Sequence, residues 1–305
     1  MRTMAVEISG TLVHDNLSIR LREIEPQIRA AINFDTVLFD FSKCTYLSPI
    51  GVLYLVMRRD ELRDLGIETR ARIPNAGLRK FIRAFRIIPL EDVDDVFGEY
   101  ALGPNRCMCI QDCRNTHSDI FVRLVNRNEW EADALAAVDY MLNEIWDNSG
   151  CHGYKCYETD TYPKPVYIAA FSYRDRIEIA IGDRGQGFNK SLSENNKDFA
   201  LADPRETLRM AVKNNVSGHP TGSPGFGLFA ASSFARTGGK LSIWSDGLQL
   251  QIADKGDKLI KGSLSGGTMT SIVMRKKSKI PFTSIVQTHQ NADEYIEEML
   301  EGVFQ

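Results

Sequence analysis

Glycine placement constrains this chain more than any other feature. Three glycine-rich turns interrupt its second half: Asp183-Arg184-Gly185-Gln186-Gly187, Gly225-Phe226-Gly227 and Gly266-Gly267. The first follows an apolar run ending at Ile181, and the last directly precedes another, Thr268 to Arg275. Short apolar runs bounded by glycine read as strands. Glycine at a strand end permits a tight turn and lets a ligand approach the backbone. The middle turn leads into Leu228 and a helical stretch from Phe229 to Thr237, where a helix N-terminus offers free amides to an anion.

The remaining pattern is α/β. Residues 4–13, 36–41 and 67–73 read as strands, and 17–32, 47–65 and 78–85 as helices, with Pro49 suited to a first helical turn. Periodicity fades from 91 to 115. A strand is expected at 120–125, a long helix from Glu129 to about Ser149, and strands at 166–172, 176–181, 240–245 and 268–275. Between Gly187 and Gly225 lies a polar stretch with one helical piece, 205–214, long enough to suggest a functional or mobile segment. This divides the chain into an N-terminal α/β domain (1–105), a linker (106–117), a second domain (118–276) and a tail (277–305) with a short acidic helix at 291–300.

Composition excludes several classes. A net charge of -3 argues against a broad nucleic-acid footprint. The longest apolar run, Ile50 to Met57, is far too short to span a membrane. No leader is visible after Met1, and six cysteines are too few for a disulfide scaffold, so the expected compartment is the cytoplasm. Cys107, Cys109, Cys113 and His117 could supply four zinc ligands, but the CxC spacing fits a tetrahedral site poorly, and a linker with free thiols is the preferred reading.

Chemistry concentrates in the second half. Glu144 and Asn148 are four apart on one helix face, a carboxylate and a carboxamide able to position water and a hard cation such as Mg²⁺. Asp183 sits at a strand end, and Thr268 follows Gly266-Gly267. Each feature alone has an ordinary structural explanation. Their order, ExxxN, DxGxG, GxGL, GGT, resembles the GHKL superfamily of Bergerat-fold ATP-binding domains over roughly residues 118–276.

That resemblance implies a two-layer α/β sandwich that binds ATP and Mg²⁺. Position by position, it implies that Glu144 is the general base and Asn148 the Mg²⁺ ligand. Asp183 would accept from the adenine amino group, with Gly185 and Gly187 lining the base. Gly225, Gly227 and Leu228 would lie at the triphosphate, and Thr268 near adenine. The segment Asn148 to Gly153 is similar to the anti-sigma factor kinase branch, with a one-residue expansion before His152. Residues 37–53 resemble the STAS domain of anti-sigma factor antagonists: Gly51 matches the family glycine, Pro49 occupies the phosphoacceptor position, and Ser48 its neighbour. Together these imply phosphoryl transfer from ATP to water or to a protein serine or threonine, within a partner-switching system of signalling proteins. A homodimer is compatible with this reading. The alternative is a non-catalytic, ATP-gated interaction module.

Overall fold

The computed structural model describes residues 2–79, 129–155, 166–195, 199, 201–217 and 225–287, and the backbone of 106–112. The expected strand at 120–125, most of the helix at 78–85 and the tail helix lie outside these residues.

The fold is mixed α/β, with one parallel and one antiparallel sheet. In chain order the elements begin with β1 (Thr3–Leu12), α1 (Leu17–Ala31), β2 (Thr36–Leu47), α2 (Pro49–Asp64) and β3 (Glu68–Arg72). These strands form a three-stranded parallel sheet in the order β1-β2-β3. Then come β4 (Arg106–Asp112), α3 (Ala132–Asp147), a π-helical turn (Asn148–His152), β5 (Val166–Ser172), β6 (Arg176–Asp183), α4 (Phe188–Asn195), α5 (Pro204–Met210) and α6 (Gly227–Gly238). The chain continues through β7 (Gly239–Ser245), β8 (Leu248–Ala253), β9 (Gly256–Lys261), β10 (Thr268–Arg275) and α7 (Phe282–Val286). The second sheet has seven strands in the order β4-β5-β6-β10-β7-β8-β9, antiparallel throughout.

Both faces of this large sheet are buried, and the period of two along each strand sorts its side chains between them. Val166, Ile168 and Ala170 of β5, with Ile177, Ile179 and Ile181 of β6, pack under α3, α6 and α7. Tyr167, Ala169 and Phe171, with Ala180 of β6 and Trp244 of β7, pack instead against α1, α2 and the parallel sheet. The chain therefore stacks as helices, sheet, helices, sheet. Two features join the parts on either side of the stretch 106–117, expected as a linker. Residues 106–112 are an edge strand, because their backbone pairs with β5 from Arg106–Ser172 to Asp112–Val166. The N-terminal core is continuous with the outer face of the second sheet.

The helix α2 explains that continuity. Every residue from Pro49 to Asp60 is buried, and the run from Ile50 to Met57, apolar on all sides, must be covered on all sides. Gly51 lets its first turn close on β1: a Cβ there would come within 2.7 Å of Leu12 Cβ. Gly182 of β6 lets its middle close on the large sheet, since a Cβ would meet Leu53 Cδ2 at 3.0 Å and Met57 Sδ at 3.1 Å.

A polar seam adds direction to the apolar contact. His14 is held between Ser271 (Nδ1, 3.1 Å) and Ser242 (Nε2, 2.9 Å), edge-on to Trp244. Trp244 Nε1 donates to Ser18, and Ser18 Oγ donates to Gln249. Burial pushes the His14 imidazole down to about 4, so the seam holds a neutral ring.

All three tryptophans (Trp130, Trp146, Trp244) lie in the second half, so their fluorescence reports its unfolding. Leu53→Ala, a change in the first half, should cost about 2–5 kcal/mol as a large-to-small core substitution. The tryptophan transition in denaturant should move with it. A tryptophan midpoint unchanged by Leu53→Ala would show that the halves unfold independently.

Candidate functional site

Register decides which side chains meet. Asp183 pairs with Thr268 across β6 and β10, and Ile181 pairs with Thr270. Paired residues share a face, so Asp183, Thr268 and Thr270 all point to the side covered by α3 and α6. There they line a cavity of about 290 Å³, near the lower end of the ligand-pocket range of about 300–1,000 Å³. Glu144, Asn148, Asp183, Gly187, Gly225, Gly227, Leu228 and Thr268 all line it, so residues from all four sequence motifs converge on one space. Gly185 is not in its wall, but its amide donates to Asp183 Oδ1 at 2.8 Å.

Asp183 is 1% exposed. Burial pushes its carboxyl up to about 7, against the pull of hydrogen bonds from the Gly185 and Thr268 amides. The turn around it is closely packed. Gly267 N donates to Gly185 O and Gln186 N donates to Gly153 O, both at 3.1 Å. A Cβ on Gly185 would overlap the Gly153 carbonyl, and one on Gly267 would overlap the carbonyl of Asp183. These glycines are fixed by close backbone approach.

Glu144 lies across the cavity near the end of α3. Burial raises its carboxyl, a hydrogen bond with Tyr140 opposes that, and Asp147 raises it further. Asn148 begins the π-helical turn, a distortion common at functional sites. Gly227 opens α6, whose N-cap residue Phe226 supplies no side-chain cap. A Cβ on Gly227 would overlap Glu144 Oε2, so the carboxylate sits against the first turn of α6.

The polar stretch from 188 to 224 holds more structure than its sequence suggests. Beside the expected helix, now Pro204–Met210 with Asp203 as N-cap accepting from Arg205 N at 2.7 Å, there is a second one, α4. Its first amides donate to Ser245 Oγ (from Phe188, 3.0 Å) and Asp246 Oδ2 (from Asn189, 2.9 Å). Leu192, Phe199 and Ala211 form a small core of their own beside the cavity. Sequence reading missed the contributions of Phe188, Ser191 and Leu192 to the cavity wall. Their spacing on one helical face was the available signal.

Other candidates separate from this site. Ser48 is 2% exposed, and its hydroxyl donates to Leu12 O at 3.1 Å, so it is engaged inside the fold. Cys107 and Cys109 lie on β4, whereas Cys113 and His117 are outside the described residues. Among the described residues, no group of three or more His, Cys, Asp or Glu side chains is placed to hold a metal, and no helix is long and apolar enough to cross a membrane.

Gly227→Val should disturb the cavity at its tightest point by displacing Glu144. Its effect should appear as loss of ligand affinity with a small change in melting temperature. A variant that keeps the wild-type affinity for whatever ligand the cavity takes would show that Glu144 and the start of α6 are not part of one site.

No protein-family model matches this chain, and no curated protein does. Among the solved structures, the chain is similar to the anti-sigma factor antagonist SpoIIAA in its unphosphorylated form. The identity is 21%, the match covers 30% of this chain and 82% of that chain, and the TM-score is 0.24.

Proposed function

We propose that the cavity binds ATP with Mg²⁺ and supports transfer of the γ-phosphate to water or to a protein serine or threonine, within a signalling protein that acts through a partner. The observation that carries this reading is the convergence of Glu144, Asn148, Asp183, Gly225, Gly227 and Thr268 on one space. The donor set suits the ligand. A buried carboxylate with no cation among the causes of its shift suits an exocyclic amine at the base end. The uncapped start of α6 suits phosphate oxygens, because free amides and the helix dipole favour negative charge.

Mg²⁺ prefers oxygen ligands and keeps part of its water shell. The Asn148 carboxamide, on the cavity wall one helical turn from Glu144, fits a cation held jointly with phosphate oxygens. When bound, the ion neutralises phosphate charge. Glu144 is placed to take the proton of the attacking hydroxyl as its oxygen bonds to phosphorus and the bond to the ADP oxygen breaks. Burial raises its proton affinity, the direction that favours a general base. Tyr140 holds the carboxyl through its hydrogen bond. Positioning and charge neutralisation do most of the work in such transfers.

Three measurements check this. Asp183→Ala should weaken ATP binding by about 1–3 kcal/mol, as expected for a lost buried hydrogen bond; calorimetry showing wild-type affinity would move the base elsewhere. Glu144→Gln should keep ATP affinity within a few-fold and lose turnover. Equal turnover in Glu144→Gln and wild type would leave the ATP-gated, non-catalytic module as the function. The third uses adenosine, which has no phosphate to titrate. Its amino group bonds more strongly to an ionised acceptor than to a neutral one, and the Asp183 carboxyl stays protonated up to about 7 in the free site. Adenosine affinity should therefore rise as pH increases through about 7 and level off above it. Asp183→Asn should bind adenosine weakly with no such rise. A flat profile in the wild type would contradict the role given to Asp183.

A further inference from the structure

The base end of the cavity is built from two backbone segments, the turn after β6 (residues 183–187) and the turn before β10 (residues 265–268). Neither is free-standing. Both are gripped from behind, through the sheet's outer face, by α2 and its neighbour α1.

The first grip is Arg184. Its neighbours Asp183 and Gly185 make the carboxylate turn, and its own amide donates to Tyr154 Oη at 3.0 Å. Its guanidinium leaves the cavity and pairs with Asp64 at the end of α2, Nη1 to Oδ2 at 2.8 Å. On the way it lies over the Tyr167 ring, 5.9 Å from the centroid, and Tyr167 Oη donates to Asp60 of α2 at 3.2 Å. The second grip is Ser265, next to Gly266. Its carbonyl accepts from Arg58 Nη2 of α2 at 3.2 Å, and its hydroxyl donates to Glu25 Oε2 of α1 at 2.8 Å. Arg58 Nε and Glu25 Oε1 are themselves paired at 2.8 Å, with side chains 3% and 2% exposed. Between the two grips, Leu53 and Met57 of α2 press on Gly182.

One helix thus backs both turns, beside which Asp183 and Thr268 stand as a cross-strand pair pointing into the cavity. We infer that Arg184 and Ser265 are positioning residues for the base end of the site, and that α2 of the N-terminal half sets nucleotide affinity by fixing the separation of those two turns. This rests on the nucleotide reading of the cavity. It gives the N-terminal half a defined role: any partner that shifts α2 changes adenine affinity and leaves phosphate binding at α6 untouched.

The test is calorimetry on the full chain with two probes, adenosine for the base end and Mg²⁺-tripolyphosphate for the phosphate end. Asp64→Ala changes a carboxylate that is 57% exposed, so melting temperature should hold. It should weaken adenosine roughly 2–5-fold, the range of a partly exposed ion pair, and Asp64→Glu should restore affinity. Arg184→Ala should weaken adenosine at least as much, and the Asp64→Ala/Arg184→Ala double variant should be no weaker than Arg184→Ala alone. Ser265→Ala should weaken adenosine by roughly 5-fold, as for one lost hydrogen bond of ordinary strength. Tripolyphosphate binding should be unchanged in all of them. Wild-type failure to bind adenosine would overturn the nucleotide reading and this inference with it. Wild-type binding with unchanged adenosine affinity in Asp64→Ala or Ser265→Ala, or equal weakening of tripolyphosphate, would overturn the inference alone.

Discussion

The burial of α2 on every side is the contact on which the rest of the molecule depends. A helix apolar on every side from Ile50 to Met57 needs apolar surface above and below, and one three-stranded sheet supplies only half of it. The other half is the outer face of the seven-stranded sheet, where Tyr167, Ala169, Phe171 and Met269 wait in the same cluster. Burial of apolar area at about 25 cal/mol per Å² makes separation of the halves costly. The polar seam of His14, Ser18, Ser242, Trp244 and Gln249 fixes the angle at which they meet, because a misaligned hydrogen-bonding group in that interior would lose its partner.

A sheet buried on both faces has a consequence for chemistry. Alternation along β6 gives Gly182 to α2 and Asp183 to the cavity. The residue that takes the pressure of the N-terminal half and the residue assigned to the base are therefore adjacent in the chain. Ahead of β10, Ser265 is gripped from behind three residues before Thr268, which faces the cavity. An Asp buried to this degree without a cation is expensive to ionise.

The motifs were legible because they are local. Glycine before or after a strand, a carboxylate and carboxamide four apart, and Pro49 at the start of a helix all express short-range geometry, and each sits where its sequence suggests. The β7–β8 hairpin was also legible yet passed over. Asp246 and Gly247 both adopt positive φ, the signature of a two-residue hairpin turn, and Leu248, Leu250 and Ile252 alternate behind it. The edge strand β4 gave a weaker signal, since Arg106 to Asp112 mixes charge, cysteine and apolar residues, and its pairing with β5 is a non-local matter. Least legible was the shared core. The apolar run Ile50 to Met57 announces a buried helix, but no sequence pattern states that its second face belongs to strands more than a hundred residues away.

In the proposed function one cavity holds adenine at Asp183 and phosphates at the start of α6. A crystal structure with a non-hydrolysable ATP analogue and Mg²⁺ tests it most directly. The adenine amino nitrogen should lie within hydrogen-bonding distance of the Asp183 carboxylate, phosphate oxygens on the amides of Gly227 and Leu228, and the cation near Asn148. Density for the analogue elsewhere on the protein, with this cavity holding only water, would contradict it.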